Sequence, residues 1–167
     1  MGSPKCAAFS VLQRLNSHTP EHEKRLHEGL QHLQLVMKIY KNQVKAGRLF
    51  LHEHPWSATS WNLDCVLEVR HMEGVAVAYG DQCPFGFVVL DAHGDSLARK
   101  PMGWMSNCME ILEGVALVCP NDAAKPVEVH RHSTMVGRDM RRAERYPPKL
   151  LKAILRGLRR YMDWQGL

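Results

Sequence analysis

Residues 19–55 read TPEHEKRLHEGLQHLQLVMKIYKNQVKAGRLFLHEHP, and the architecture of the chain is built around them. Thr19 is an N-cap, Pro20 takes the first helical position, where its missing N–H costs nothing, and Glu21 places an acid in the first turn. Leu26, Leu30, Leu33, Met37, Tyr40 and Val44 then recur at alternating steps of four and three, which predicts a helix from about 20 to 46 with one apolar stripe. Gly47 closes it as a C-cap. Leu49-Phe50-Leu51 follows at once as a short buried strand that Pro55 stops.

Downstream of this unit, a helix is expected within 58–70, carrying Trp61, Leu63, Val66 and Leu67. Gly74 precedes a strand at Val75–Tyr79, Phe85 to Leu90 reads as another, and Asp91-Ala92-His93-Gly94-Asp95 is a turn. After Pro101 a short strand runs to Met105. Asn107 and Glu110 have capping-box spacing and introduce a brief helix ending near Gly114. Val118 leads into a polar loop at 120–126. Beyond Tyr146-Pro147-Pro148, the residues Leu150, Leu151, Ile154, Leu155, Leu158, Tyr161 and Met162 form the stripe of a basic amphipathic helix, expected to dock on the protein's own sheet. These elements predict an α/β fold with strands near 49, 75, 86 and 103, in a single domain over 1–167.

At 167 residues and 45% hydrophobic content the chain buries roughly two thirds of its unfolded surface, so folding does not demand a metal or a disulfide. No run of about 18 apolar residues occurs, and the start lacks a basic-then-apolar leader. The expectation is an intracellular protein of nucleus or cytoplasm without a membrane partner. Its five cysteines are odd in number and contain no C-x-x-C pair, which predicts reduced thiols. The net charge of +5 is uneven: Arg138, Arg141, Arg142, Arg145, Lys149, Lys152, Arg156, Arg159 and Arg160 crowd the end of the chain. Such a patch attracts phosphate backbones, and the expected partner is a nucleic acid, DNA foremost.

Two constellations carry chemistry. In the first, Ser3-Pro4-Lys5-Cys6 with Phe9-Ser10 resembles the Ser-Pro-Pro-Cys loop of the cytosine-C5 DNA methyltransferases, and Glu53-His54-Pro55 resembles their Glu-Asn-Val or Glu-Asn-Pro word. Asp81-Gln82-Cys83-Pro84-Phe85-Gly86, followed by Arg99-Lys100-Pro101-Met102-Gly103-Trp104-Met105-Ser106-Asn107, is similar to the Cys-x-x-Gly and Lys-Pro-Thr words of divergent members. The resemblance covers most of the chain and is strongest to methyltransferase-like segments of retroelement-type open reading frames in unicellular eukaryotes. It implies a remnant of a Rossmann-like methyltransferase sheet with flanking helices. Cys6 would be the nucleophile adding to C6 of a flipped cytosine, Glu53 the acid at the N3 edge, and Arg99 or Lys100 the basic contact. Lys5 stands where the family has its second proline. The chain holds no G-x-G, and its glycines are never closer than six positions. The N-terminal half that holds the cofactor is therefore expected to be missing. S-adenosylmethionine would bind only with a further segment or partner chain, such as the rest of a polyprotein, and the domain alone is expected to be inactive. Because side chains alternate along a strand, Glu53 must face away from His52 and His54.

The second constellation is Cys108, Cys119, His130 and His132, a soft and borderline donor set suited to zinc. His130 and His132, at i and i+2, share one face of an extended segment. It supports a rival reading, a zinc-binding or nucleic-acid-binding module of a mobile-element polyprotein with no catalytic activity.

Overall fold

The Thr19 hydroxyl accepts the His22 N–H (3.2 Å) and opens helix α1, Pro20–Lys45, as the capping signal predicts. Gly47, at φ 65°, supplies the left-handed residue that ends it. This computed structural model describes residues 2, 6–10, 19–91, 93–121, 130–133 and 145–167. Ser3 to Lys5, most of the loop read at 120–126, and Arg138, Arg141 and Arg142 lie outside the described residues.

After α1 the chain runs through strand β1 (Leu51–Pro55), helix α2 (Asp64–Arg70), strands β2 (Ala76–Asp81), β3 (Val88–Asp91), β4 (Gly94–Leu97) and β5 (Pro101–Ser106), and helices α3 (Met109–Val115) and α4 (Pro148–Gln165). The fold is mixed α/β. Strand β5 lies between β1 and β2 and is antiparallel to both, so β1 and β2 run in the same direction. Strands β3 and β4 form a separate hairpin.

The sequence reading differs at four places. The first strand runs over Leu51–Pro55 rather than Leu49–Leu51, so Pro55 is its last residue, and Phe50 precedes it with its N–H bonded to the Asn107 side chain instead of to a strand. Cys83–Phe85 is a turn of 3-10 helix ended by Gly86 in the left-handed region, so the third strand starts later than Phe85. Strand β4 begins at Gly94 and Asp95, which the sequence assigns to the turn at 91–95, and it has no apolar run; it exists through pairing with β3 and a bridge between Leu97 and His132. Asn107 does not cap α3. Its carboxamide instead accepts the Phe50 N–H (3.0 Å) and donates to the Arg48 carbonyl (3.0 Å), tying the entry of β1 to the exit of β5.

Alternation along the strands divides the core. One face of the sheet carries His52, His54 and Met105 and packs on α1 and α2 through Leu33, Met37, Tyr40, Trp61, Val66 and Val69. The other carries Leu51, Met102 and Trp104 and packs on α3 and α4 through Ile111, Leu112, Val115 and Leu150. Full burial of each large apolar side chain is worth roughly 1.5–3 kcal/mol, so the two clusters together hold helices on both faces. Close approach is set by small residues: a Cβ on Gly103 would sit 2.4 Å from the Trp61 ring.

His52 is buried beneath Tyr40 and Trp61. Loss of solvation, and then the neighbouring His54, push its imidazole down to about 3. Between about pH 6.5 and 3 the unfolded imidazole binds a proton that the folded one refuses, so stability falls as pH falls through this window, by about 1.4 kcal/mol per pH unit. Urea unfolding at pH 6.5, 5.5 and 4.5 is expected to show a shallower loss for His52→Leu than for the wild type, by about that slope. Equal slopes would exclude the buried neutral imidazole as the source.

Candidate metal centre

The end of β2 begins the site. Gly80, one residue before the end of the strand, sits where a Cβ would lie 2.2 Å from the Val115 carbonyl oxygen, so the chain passes hard against the exit of α3. Asp81 follows, buried; its N–H donates to the Leu117 carbonyl (2.7 Å) and its carboxylate accepts the Cys119 N–H (2.9 Å). The same carboxylate accepts from the Tyr79 hydroxyl (2.7 Å) and the Arg99 guanidinium (3.2 Å). Asp81 thereby fixes the backbone that carries Cys119, and two residues later the turn of 3-10 helix presents Cys83.

The histidines arrive on a third segment. Leu97 N–H donates to the Arg131 carbonyl (3.1 Å) and Ser133 N–H to the Leu97 carbonyl (3.0 Å), so residues 130–133 lie along β4 as a short additional strand. The Asn121 carboxamide grips His130 at both backbone groups, donating to its carbonyl (2.5 Å) and accepting its N–H (3.3 Å). Spacing of two on this extended segment sends both imidazoles the same way, their rings 4.5 Å apart and edge-on.

Cys83, Cys119, His130 and His132 each offer one donor atom, and all four atoms lie within 4.8 Å of one another. Cys119 Sγ is 3.7 Å from His130 Nε2 and 3.5 Å from His132 Nε2. A tetrahedral zinc with Zn–N of about 2.1 Å and Zn–S of about 2.3 Å places its donors about 3.3–3.8 Å apart, which matches. The two Nε2 atoms, 2.8 Å apart, have to open by about half an ångström. Two thiols and two imidazoles are a closed set of the structural kind, with the thiols buried and the histidines half-buried. Burial, then the hydrogen bond and charge of Cys119, push the Cys83 thiol up to about 12, so an incoming cation must displace its proton. The group of residues can hold a metal ion.

Among the four residues expected to bind zinc, Cys119, His130 and His132 converge, and Cys83 takes the place of Cys108. The reason is strand direction. Pro101, at the start of β5, pairs with Asp81 beside Cys83, whereas Cys108 follows Ser106 at the far end of that strand, five residue steps or about 17 Å away. Cys108 is buried in the cluster under α3 and α4, its thiol donating to the Glu110 carboxylate (3.3 Å), and burial raises its pKa. The local word Cys83-Pro84-Phe85-Gly86, a cysteine in a turn directly beyond a strand, is the sequence signal for this donor. Cys108→Ala is expected to leave bound metal unchanged while Cys83→Ala removes it, as read by elemental analysis of the purified variants.

The other expected residues separate. Cys6 opens a turn of 3-10 helix, Cys6–Phe9, and its side chain lies outside the described residues. Phe9 packs on the α1 side of the sheet, edge-on to His54. Glu53 is buried on the opposite side, registered against Trp104, where the Tyr146 hydroxyl donates to it (2.9 Å). The alternation expected of His52, Glu53 and His54 is therefore present. Arg99 is bound to Asp81, not to Glu53, among the described residues, and the Asp81 charge raises its pKa further. Lys100 accepts the Gln82 N–H at its carbonyl (3.1 Å), so its backbone belongs to the β2 turn. Among the described residues no helix is long and apolar enough to cross a membrane. No family model matches the chain, and comparison with curated proteins and with solved structures gives no match either.

Proposed function

We propose that this chain is a zinc-stabilised, nucleic-acid-associated module in which Cys83, Cys119, His130 and His132 hold one structural zinc ion. The observation that carries this reading is the convergence of four soft and borderline donors from three separate segments onto one point. A zinc ion there joins the turn after β2, the chain leaving α3 and the segment paired with β4. The hairpin that the third segment lines has, among the described residues, a small core cluster of Phe87, Val89 and Ala98. The role is structural, since four protein ligands leave no open position for substrate. Protein purified without chelator is expected to carry one zinc per chain by elemental analysis; a metal content well below that, restored by neither zinc nor cobalt, would sink the reading.

One observation favours a second reading of the frame. Strands β1 and β2 run parallel and are joined by a crossover through α2, and Gly2 bridges His52 in parallel on the outer side of β1. Here the antiparallel β5 stands between β1 and β2; parallel strands joined by a helical crossover are the unit of Rossmann-like sheets. This supports descent from a methyltransferase-like sheet with Cys6 and Glu53 as its inherited words. Incubation with DNA containing 5-fluorocytosine, with and without S-adenosylmethionine, tests it: a covalent adduct lost in Cys6→Ala is the positive result, and no adduct in any arm removes a catalytic role.

A further inference from the structure

We infer that the groove between α4 and the turn after β2 binds the sugar-phosphate backbone of a single nucleic-acid strand. The inference rests on the nucleic-acid half of the proposed function and gives it a place. The groove encloses about 660 Å³ and is lined on one side by Lys149, Lys152, Arg156 and Arg160 and on the other by Phe85 and Leu117. Phe85 is two residues beyond the metal donor Cys83, so the wall of the groove and the metal site are the same turn.

Three features select the ligand. First, the cations stand at i, i+3, i+7 and i+11 of one helix, a single file about 16 Å long. A nucleic-acid strand lays a row of phosphates along such a file. Second, Arg160 alone of the four has an acidic partner among the described residues, Glu113 at 3.4 Å; Lys149, Lys152 and Arg156 have none. Three charges along one recess raise the local concentration of anions there. Third, the cations border a recess with an apolar wall, not a convex surface, so a flat anionic membrane cannot reach its floor while a flexible strand can. A second copy of this chain would bring like charge against like charge. The small residues Ala153 and Gly157 also line the groove, and Gly157 lets α4 lie directly on α3, since a Cβ there would be 2.6 Å from the Ile111 Cα.

The test uses the zinc-loaded full chain and a fluorescein-labelled oligothymidylate of twenty nucleotides, read by polarisation at 50 and 200 mM NaCl. Three to four phosphate contacts give a slope of about −0.7 per contact, which predicts roughly 20- to 50-fold weaker binding at the higher salt. The variant Lys149→Gln/Lys152→Gln/Arg156→Gln is expected to bind at least tenfold more weakly at 50 mM NaCl and to lose most of the salt dependence. Lys38→Gln, on α1 beyond the opposite face of the sheet, is expected to change binding less than threefold. Elemental analysis and circular dichroism on the same samples separate the two readings, because the triple variant keeps its zinc and its helix content. Equal binding by the triple variant and the wild type would overturn the groove while leaving nucleic-acid association intact. Absence of binding by the wild type would overturn both, and tight binding of polyglutamate or of phosphatidylserine vesicles with none of oligothymidylate would assign the groove to another class of anion.

Discussion

Serine in place of Cys119 is expected to abolish stoichiometric zinc and to lower the melting temperature by roughly 8–16 °C. The size follows from linkage: a ligand present at a thousand times its Kd stabilises the folded state by about 4 kcal/mol, and each kcal/mol moves the midpoint of a domain of this size by about 2–4 °C. The alcohol keeps the volume and the capacity for a hydrogen bond but offers no thiolate, so the two imidazoles and Cys83 are left as an incomplete set. The wild type treated with a strong chelator should melt where Cys119→Ser melts, and the variant should be indifferent to the chelator. Wild-type protein whose midpoint does not move with chelator would show that the four donors contribute nothing to stability. Proteolysis offers a local reading of the same event: cleavage at 130–133 is expected to speed up on chelation, while the α1 and α2 side of the sheet keeps its protection, because among the described residues its core cluster includes none of the four donors.

Gly157→Val is expected to destabilise the protein by about 3 kcal/mol, a fall of roughly 6–12 °C in melting temperature. Gly157 is buried in the middle of α4, where glycine costs about 1 kcal/mol relative to alanine, and the compensation is proximity. A Cβ there would lie 2.6 Å from both the Glu110 carbonyl oxygen and the Ile111 Cα, atoms of the α3 backbone that cannot swing aside. The two helices would have to part, opening the cluster of Trp104, Leu112, Val115 and Leu150 between them. Gly114→Ala is the milder comparison, since its Cβ would meet the Ala153 carbonyl oxygen at 3.2 Å. A ranking with Gly114→Ala at least as damaging as Gly157→Val would contradict this packing.

Much of the secondary structure was legible because its signals are local. Thr19-Pro20 and Gly47 bracket α1, Pro148 and the 3.6-residue apolar period mark α4, and the alternation on β1 separates Glu53 from His52 and His54. Strand β4 was not legible, since a polar tetrapeptide becomes a strand only when β3 and the His132 segment supply its hydrogen bonds. Asn107 illustrates the same limit at one side chain: its spacing to Glu110 fits a capping box, yet two backbone groups 57 and 59 positions earlier in the chain claim its carboxamide.

The candidate metal site divides along the same line. Residue type and short spacing were enough to pair His130 with His132 and to add a thiol, because side-chain direction on an extended segment depends only on parity. Which thiols complete the set depends on where the sheet places distant chain segments. Strand β5 runs antiparallel to β2, so its first residue meets Asp81 beside Cys83 and its last leads away to Cys108. Helix α3 then carries the chain back to Cys119 at the Asp81 end. Chemistry and periodicity are written in neighbouring residues; convergence is a property of strand order and direction, and at Cys83 those alone brought the thiol to the cluster.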